Sequence, residues 1–296
     1  MSSVPAASVV PVRRSEALRL VCTEVWGGNR AIDAPVELPG ARGHIYSRPC
    51  RGGRGGDIHY LSVCGSGLIA RICVADVVGH GEAVAQLSAE IHRLMRRYMN
   101  WLDQRRILRQ LNRRLTRIGF KALTTAVAVT YYPPRRRLSV SYAGHPPAWL
   151  YRSVEERWVA VVAGERRWRG RREVDLPLAV TADTIFTRQT LRVMNGDRLV
   201  IVTDGVLEAP DGAGGRLNAE GFERLLHQAR RGAPVEIVDA VVAAVGPQDA
   251  GAALHDDMTV LVLEFVAGPA GPAIWYVVRN RIMRPRGNSE APAFSA

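Results

Sequence analysis

The sequence predicts an α+β fold of segregated layers, with strands packed on strands and helices outside. Three observations carry this. After a first β-rich stretch, the periodic segments run as two helices, several strands, two helices and a last strand, which is not the alternation of a doubly wound sheet. The chain shows neither an internal repeat nor a coiled-coil heptad. Its 296 residues are 47% hydrophobic, enough for a substantial core in one large domain or two small ones.

Taken in order, residues 1–17 read as a flexible arm and 18–267 as the folded domain. No element is assigned between 18 and 57. Runs at 58–64 and 68–77 are β-rich and flank Gly65-Ser66-Gly67, a hairpin signal. A helix is expected over 82–99, where Val84, Leu87, Ile91, Leu94, Met95 and Tyr98 recur at helical spacing. A second is expected over 104–118, capped by Asp103, with Ile107, Leu108, Leu111, Leu115 and Ile118 inward and arginines outward. Strands follow at 123–132 and 138–142 around a Pro-Pro-Arg-Arg turn, then at 147–152, 158–162, 185–193 and 199–202. The turn Asn195-Gly196-Asp197 separates the last two. Helices at 219–230 and 235–245 come next, with Pro234 suited to a first turn, before a strand at 258–265. Residues 268–296 read as a Gly/Pro/Arg-rich tail, in which 274–278 either adds an edge strand or stays loose.

Composition narrows the function. No apolar run approaches the roughly 18–20 residues that span a bilayer. The opening stretch places its arginines after its apolar residues, the reverse of a secretory signal, so a cytoplasmic protein is expected. Four cysteines with no C-x-x-C pair argue against a zinc site or a disulfide framework. The net charge is +12, and Lys121 is the one lysine among 40 basic residues. These arginines spread along the chain rather than forming one stripe, so nucleic acid is not the expected partner. The densest run, 166–172, reads as a solvated loop that could guide an acidic phosphoprotein.

Aspartates carry the chemistry. Asp57 follows Gly52-Gly53-Arg54-Gly55-Gly56 and enters a strand. Asp76 ends an apolar strand and precedes Val77-Val78-Gly79-His80-Gly81. Asp204 follows the strand at 199–202, and Asp256-Asp257 opens the last one. Carboxylates gathered at strand ends repel one another unless a cation neutralises them. Hard divalent ions prefer such oxygen ligands, and two of them can clamp a phosphoryl group. Any single Asp-Gly is an ordinary turn signal. Asp33, Asp103, Asp197, Asp211 and Asp239 fit caps or turns. His80 and His145 are read as structural.

The ordered set Gly55-Gly56-Asp57-Ile58, Ala75-Asp76-Val77-Val78-Gly79-His80-Gly81, Thr125-Ala126, Ala143-Gly144-His145-Pro146-Pro147, Leu176-Pro177-Leu178, Gly196-Asp197-Arg198-Leu199, Thr203-Asp204-Gly205-Val206-Leu207-Glu208-Ala209 and Asp256-Asp257-Met258-Thr259 resembles the metal-dependent protein phosphatases of the PPM, or type-2C, family in their bacterial SpoIIE-like and RsbU-like branch. The resemblance covers about residues 40–266. It implies a β-sandwich of two antiparallel sheets flanked by helices, with two Mn²⁺ or Mg²⁺ ions at one end. It also implies the ligands: Asp57 bridging both ions, Asp76, the Val77 carbonyl, Asp204, and Asp256 or Asp257. Asp256 is favoured by the family pattern. Val78, Ala179 and Val202 stand where Ser, Gly and Tyr are usual, and none of these departures removes a ligand.

The activity implied is hydrolysis of phosphoserine or phosphothreonine on a partner protein by a water activated between the two ions. At the level of the branch, that partner is an anti-sigma-factor antagonist. Arg51 and Arg54 precede Asp57 and are candidates for holding the substrate phosphate, since guanidinium matches its geometry. The rival classes are a catalytically silent binding module with the same fold and a basic nucleic-acid-binding protein.

Overall fold

In a strand, side chains alternate between faces, so a strand buried on both sides carries two apolar rows. Most strands here are of that kind. In the computed structural model, residues 12–20, 23–50, 53–78, 82–98, 100–162, 174–211, 215–246 and 254–268 are described. The strands are β1 (Leu18–Arg19), β2 (Val25–Arg30), β3 (Ile32–Leu38), β4 (Ala41–Arg48), β5 (Arg54–Val63), β6 (Ala70–Val77), β7 (Thr124–Tyr132), β8 (Arg137–Ala143), β9 (Ala148–Arg152), β10 (Arg157–Val161), β11 (Gln189–Arg192), β12 (Arg198–Val202) and β13 (Met258–Phe265). The helices are α1 (Glu82–Arg97), α2 (Arg105–Leu115), α3 (Asp204–Leu207), α4 (Asn218–Gln228) and α5 (Pro234–Val245).

The strands form two sheets. One has the order β1-β3-β4-β13-β12-β9-β10, the other β11-β8-β7-β6-β5-β2. Named strands pair antiparallel except β1 and β3, which pair parallel over two residues. The two expected sheets are thus antiparallel apart from this one short pair at a sheet edge. Between the sheets lie Leu61, Val63, Ile72, Val74, Val127 and Val129 from one and Val36, Ile45, Leu150, Leu199, Ile201, Leu261 and Leu263 from the other. Each outer face carries helices. Ile58, Tyr60, Cys73 and Ala75 pack against Val84, Leu87 and Ile91 of α1 and Ile107, Leu108 and Leu111 of α2. Trp149, Val200, Val202, Val260 and Val262 pack against Phe222 and Leu226 of α4 and Ile237, Val238 and Val241 of α5. The result is a four-layer α-β-β-α sandwich.

Several local expectations need adjustment. Strands β1 to β4 and the start of β5 occupy residues 18–57, where the sequence pattern predicts no element. The strand expected over 185–193 shrinks to β11, while Ile185 makes an isolated bridge to Val174. Helix α2 ends at Leu115, so Ile118 lies past it and is 57% exposed rather than inward. Asp33 is no cap or turn residue: it sits within β3, buried, and accepts hydrogen bonds from Arg14 Nε at 3.1 Å and His44 Nε2 at 2.5 Å. Asp239 lies inside α5 and meets Arg14 Nη2 at 2.6 Å. Asp103 does serve the start of α2, accepting from Arg105 N–H at 3.1 Å.

Buried Arg71 on β6 ties the α1–α2 connection to the sheet. Its guanidinium donates to the Tyr98 and Trp101 carbonyls and to Thr130 Oγ1. Ala179, at the position where the family usually has Gly, has a positive φ of 72°. Asn112 of α2 braces that loop, accepting Ala179 N–H at 3.0 Å and donating to the Thr181 carbonyl at 2.7 Å. Arg51, His80, the arginine run 166–172 and the segment 274–278 lie outside the described residues.

Candidate metal centre

Along the inner faces of the sandwich the apolar rows end in polar groups. On β5 the inner row runs Val63, Leu61, His59, Asp57, and on β6 Ile72 and Val74 lead to Asp76. Asp57 and Asp76 face each other directly in the β5–β6 register, and Thr125 of β7 is the next partner of Asp76. From the facing sheet, the row Leu199, Ile201 of β12 continues to Thr203, and the row Leu263, Leu261 of β13 continues to Thr259. Asp204 opens α3 immediately after Thr203, while Asp256 and Asp257 precede β13. Strand direction and register thus bring five carboxylates to one end of the sandwich.

Asp57 is 3% exposed. Its Oδ2 accepts hydrogen bonds from Thr203 Oγ1 and Thr259 Oγ1, each at 2.7 Å. Its Oδ1 is buried and has no hydrogen-bond partner. Burial first, then the charge of Asp76, pushes its carboxyl well above the usual range, against the two hydroxyls. Asp76 is pushed up to about 7, by burial first and then by Asp204, Asp256 and Asp257. Asp204 is raised as well, by burial and then by Asp256 and Glu208. Among the described residues, no arginine, lysine or histidine forms an ion pair with any of the five.

The glycines around the cluster allow the carboxylates to approach backbone. A Cβ on Gly55 would lie 2.4 Å from Asp257 Oδ2, and one on Gly56 would lie 2.8 Å from the Val77 carbonyl oxygen and 3.5 Å from Asp76 Oδ1. A Cβ on Gly205 would lie 1.9 Å from the Asp257 carbonyl oxygen. The neighbouring aspartates differ in their surroundings. Asp257 is 9% exposed. It accepts from Cys50 N–H at 2.7 Å, from Gly56 N–H, and from Asp57 N–H at 3.4 Å. Asp256 is exposed and its Oδ1 accepts Asp257 N–H at 2.7 Å. Both precede the ordered strand, so strand alternation does not separate them. Ligand atoms of Cys50, Asp256 and Asp257 lie within 4.8 Å of one another.

Of the residues singled out in the sequence, Asp57, Asp76, Val77, Asp204, Asp256 and Asp257 come together. Arg54 opens β5, three residues before Asp57, and is exposed; a shift in the β2–β5 register lies between Arg54 and His59, so strand alternation does not set its direction relative to Asp57. His145 is buried, its Nδ1–H donating to the Pro146 carbonyl at 3.0 Å, and burial lowers its pKa to about 4. The sequence reading missed Thr203, Thr259 and Ser47. Threonine at a strand end reads as a β-former, and only the inner-row register marks these hydroxyls as unusual.

The arrangement fits a divalent cation on the chemistry of its donors: a dense set of carboxylate oxygens, one buried carboxylate oxygen without a donor, and a nearby backbone carbonyl. A family model described as Stage II sporulation protein E (SpoIIE) matches residues 69–266, a span that begins after Asp57. Among solved structures, the PP2C phosphatase domain of SpoIIE from Bacillus subtilis with a fragment of its regulatory domain is 18% identical, with 81% of this chain and 64% of that one covered and a TM-score of 0.61. The RsbU and RsbW domains of a Mycobacterium tuberculosis protein are 19% identical, with the same 81% and 64% covered and a TM-score of 0.61. RsbX in complex with magnesium is 18% identical over 79% of this chain and 99% of that one, with a TM-score of 0.58. At these identities the likeness is one of fold. No curated protein sequence matches the chain.

Proposed function

The chain belongs to the SpoIIE family of PPM-type, metal-dependent protein serine/threonine phosphatases, and from that premise we propose that it removes phosphate from phosphoserine or phosphothreonine of a partner protein at the Asp57–Asp76–Asp204–Asp256 cluster. The observation that carries the assignment of the site is the buried, partnerless Oδ1 of Asp57 beside Asp76. A carboxylate so placed is costly unless it is protonated or meets a cation.

In this reading Asp57, Asp76 with the Val77 carbonyl, Asp204 and Asp256 hold two Mn²⁺ or Mg²⁺ ions. When bound, such ions activate a water for in-line attack and neutralise charge on the phosphoryl oxygens. The protein's own part is to place the oxygens. Strands β5 and β6 fix Asp57 and Asp76 opposite each other, and Asp257 ties the approach to β5 through the Cys50, Gly56 and Asp57 amides. Gly55 and Gly56 leave room for Asp257 and the Val77 carbonyl. Asp257 is thus assigned to holding the loop and Asp256 to the ions. Arg51 and Arg54 are retained as candidates for the substrate phosphate.

The partner we propose is an anti-sigma-factor antagonist, by analogy with the branch, which would place the protein in the cytoplasm. A positive chain of +12 favours encounter with an acidic phosphoprotein. Among the described residues, no helix is long and apolar enough to cross a membrane. The test is turnover of p-nitrophenyl phosphate by purified protein with Mn²⁺, with Mg²⁺ and with EDTA. Turnover that survives EDTA, or that is absent with both metals, defeats the proposal.

A further inference from the structure

Asp57 comes from one sheet, and the groups that hold it come from the other. Thr203 and Thr259 are fully buried, Ser47 of β4 is 2% exposed, and all three belong to the sheet facing β5. Both threonine hydroxyls meet the same carboxylate oxygen, Oδ2, at 2.7 Å. Behind them the contacts continue. Thr203 Oγ1 accepts Thr259 N–H at 2.9 Å, and Thr259 Oγ1 lies 2.9 Å from Ser47 Oγ.

With Asp57 ionised, as a cation ligand must be, the protons in this network have one arrangement that satisfies every contact. A hydroxyl has a single hydrogen to donate. Thr203 receives the Thr259 amide hydrogen, so its own hydrogen goes to Asp57. If Thr259 also gives its hydrogen to Asp57, Ser47 must donate to Thr259. Both lone-pair directions of Oδ2 are then occupied, and Oδ1 is the oxygen left over, as its lack of a partner shows. Tilting the carboxylate out of this plane would strand two buried hydroxyls. Threonine suits the task because its β-branched side chain is stiff at χ1.

We propose that Thr203 and Thr259, oriented by Ser47, are positioning residues that turn Asp57 so that Oδ1 meets the cation. The inference rests on Asp57 being a ligand, as argued above. It assigns the threonines no contact with substrate. Outer contacts of this kind typically change metal affinity by about 10–100-fold.

The experiment is calorimetric titration of Mn²⁺ into metal-stripped protein, comparing wild type with Thr203→Val, Thr259→Val, Thr203→Ser, Thr259→Ser and Asp57→Asn. Valine keeps the shape and removes the hydroxyl, whereas serine restores it. The valine variants should bind Mn²⁺ about 10–100-fold more weakly, with serine recovering most of the loss. A purely structural role would lower the melting temperature and leave the affinity alone, so wild-type affinity in both valine variants overturns the proposal. If Asp57→Asn itself binds as wild type does, the ligand assignment falls first; loss in Asp57→Asn with none in the valine variants defeats only the positioning role. Should the valine variants not melt cooperatively, Ser47→Ala carries the test. It should weaken Mn²⁺ binding several-fold, and unchanged affinity there also overturns the proposal.

Discussion

Asp33 and Asp57 are both buried strand aspartates, yet they have opposite surroundings. Asp33 lies under the α5 layer and meets two nitrogen donors, Arg14 and His44. Asp57 lies between the sheets and meets two hydroxyls and other carboxylates. The protein completes the first with its own side chains and leaves the second with an empty oxygen. A buried acid without a basic partner lowers stability unless an outside cation supplies the charge. The same residue type is therefore structural in one place and, on the proposed assignment, a cation ligand in the other, and the partners decide which.

The sharpest break in this comparison is catalytic. Asp57→Ala and Asp204→Ala should each reduce Mn²⁺-dependent turnover of p-nitrophenyl phosphate to background while the circular dichroism spectrum stays native. Asp33→Asn should keep turnover within a few-fold of wild type. Next comes the pair at the start of β13. Asp256→Asn should lose more activity than Asp257→Asn, because Asp256 is exposed at the cluster whereas Asp257 spends its oxygens on backbone amides. Equal losses, or the reverse order, would exchange their roles.

Stability should separate the two aspartates in the opposite sense. In EDTA at pH 8, Asp57→Asn should melt at a higher temperature than wild type, because it relieves repulsion with Asp76. Asp33→Asn should melt lower, because it weakens two hydrogen bonds. The pH dependence follows from Asp76, raised from 3.8 to about 7. Between those values the folded state keeps a proton that the unfolded chain has lost. Unfolding free energy therefore falls as pH rises through that window and stays low above it. The metal-free protein should melt higher at pH 5 than at pH 8, and Mn²⁺ should raise the melting temperature mainly at pH 8. A flat melting curve across that range would contradict the repulsion argument.

The smallest effect concerns Ala179. At φ 72° a non-glycine residue is strained, so Ala179→Gly should stabilise the protein by about 1 kcal/mol, read as a rise of a few degrees in melting temperature.

The sequence made some of this legible and hid the rest for identifiable reasons. Helices α1, α2, α4 and α5 were visible because their apolar residues recur at helical spacing, and β13 because it holds the apolar run Val260-Leu261-Val262-Leu263. Strands β2 to β4 were not, because Gly27, Gly28, Pro35 and Gly43 look like breakers. Two of these glycines instead permit close approach between strands. A Cβ on Gly27 would sit 2.0 Å from the His59 carbonyl oxygen, and one on Gly43 would sit 1.9 Å from that of Val262. The carboxylates were found because aspartates at strand ends, Asp57 and Asp204 beside glycine, are conspicuous and because their order along the chain resembles that of a family. The hydroxyls that hold Asp57 were not, since Ser47, Thr203 and Thr259 meet only through pairing between β4, β12 and β13. Asp33 looked like a turn residue because its partners, Arg14 and His44, lie on other segments.

Strand β13 is the last strand among the described residues, yet it lies in the middle of its sheet, between β4 and β12. The sheet cannot close until that strand is inserted. During synthesis the amino-terminal half of the polypeptide leaves the ribosome with β4 waiting for a neighbour more than two hundred residues away. Asp256 and Asp257 arrive with the same strand. A nascent chain that has not yet released these residues would therefore lack one side of the proposed cation site.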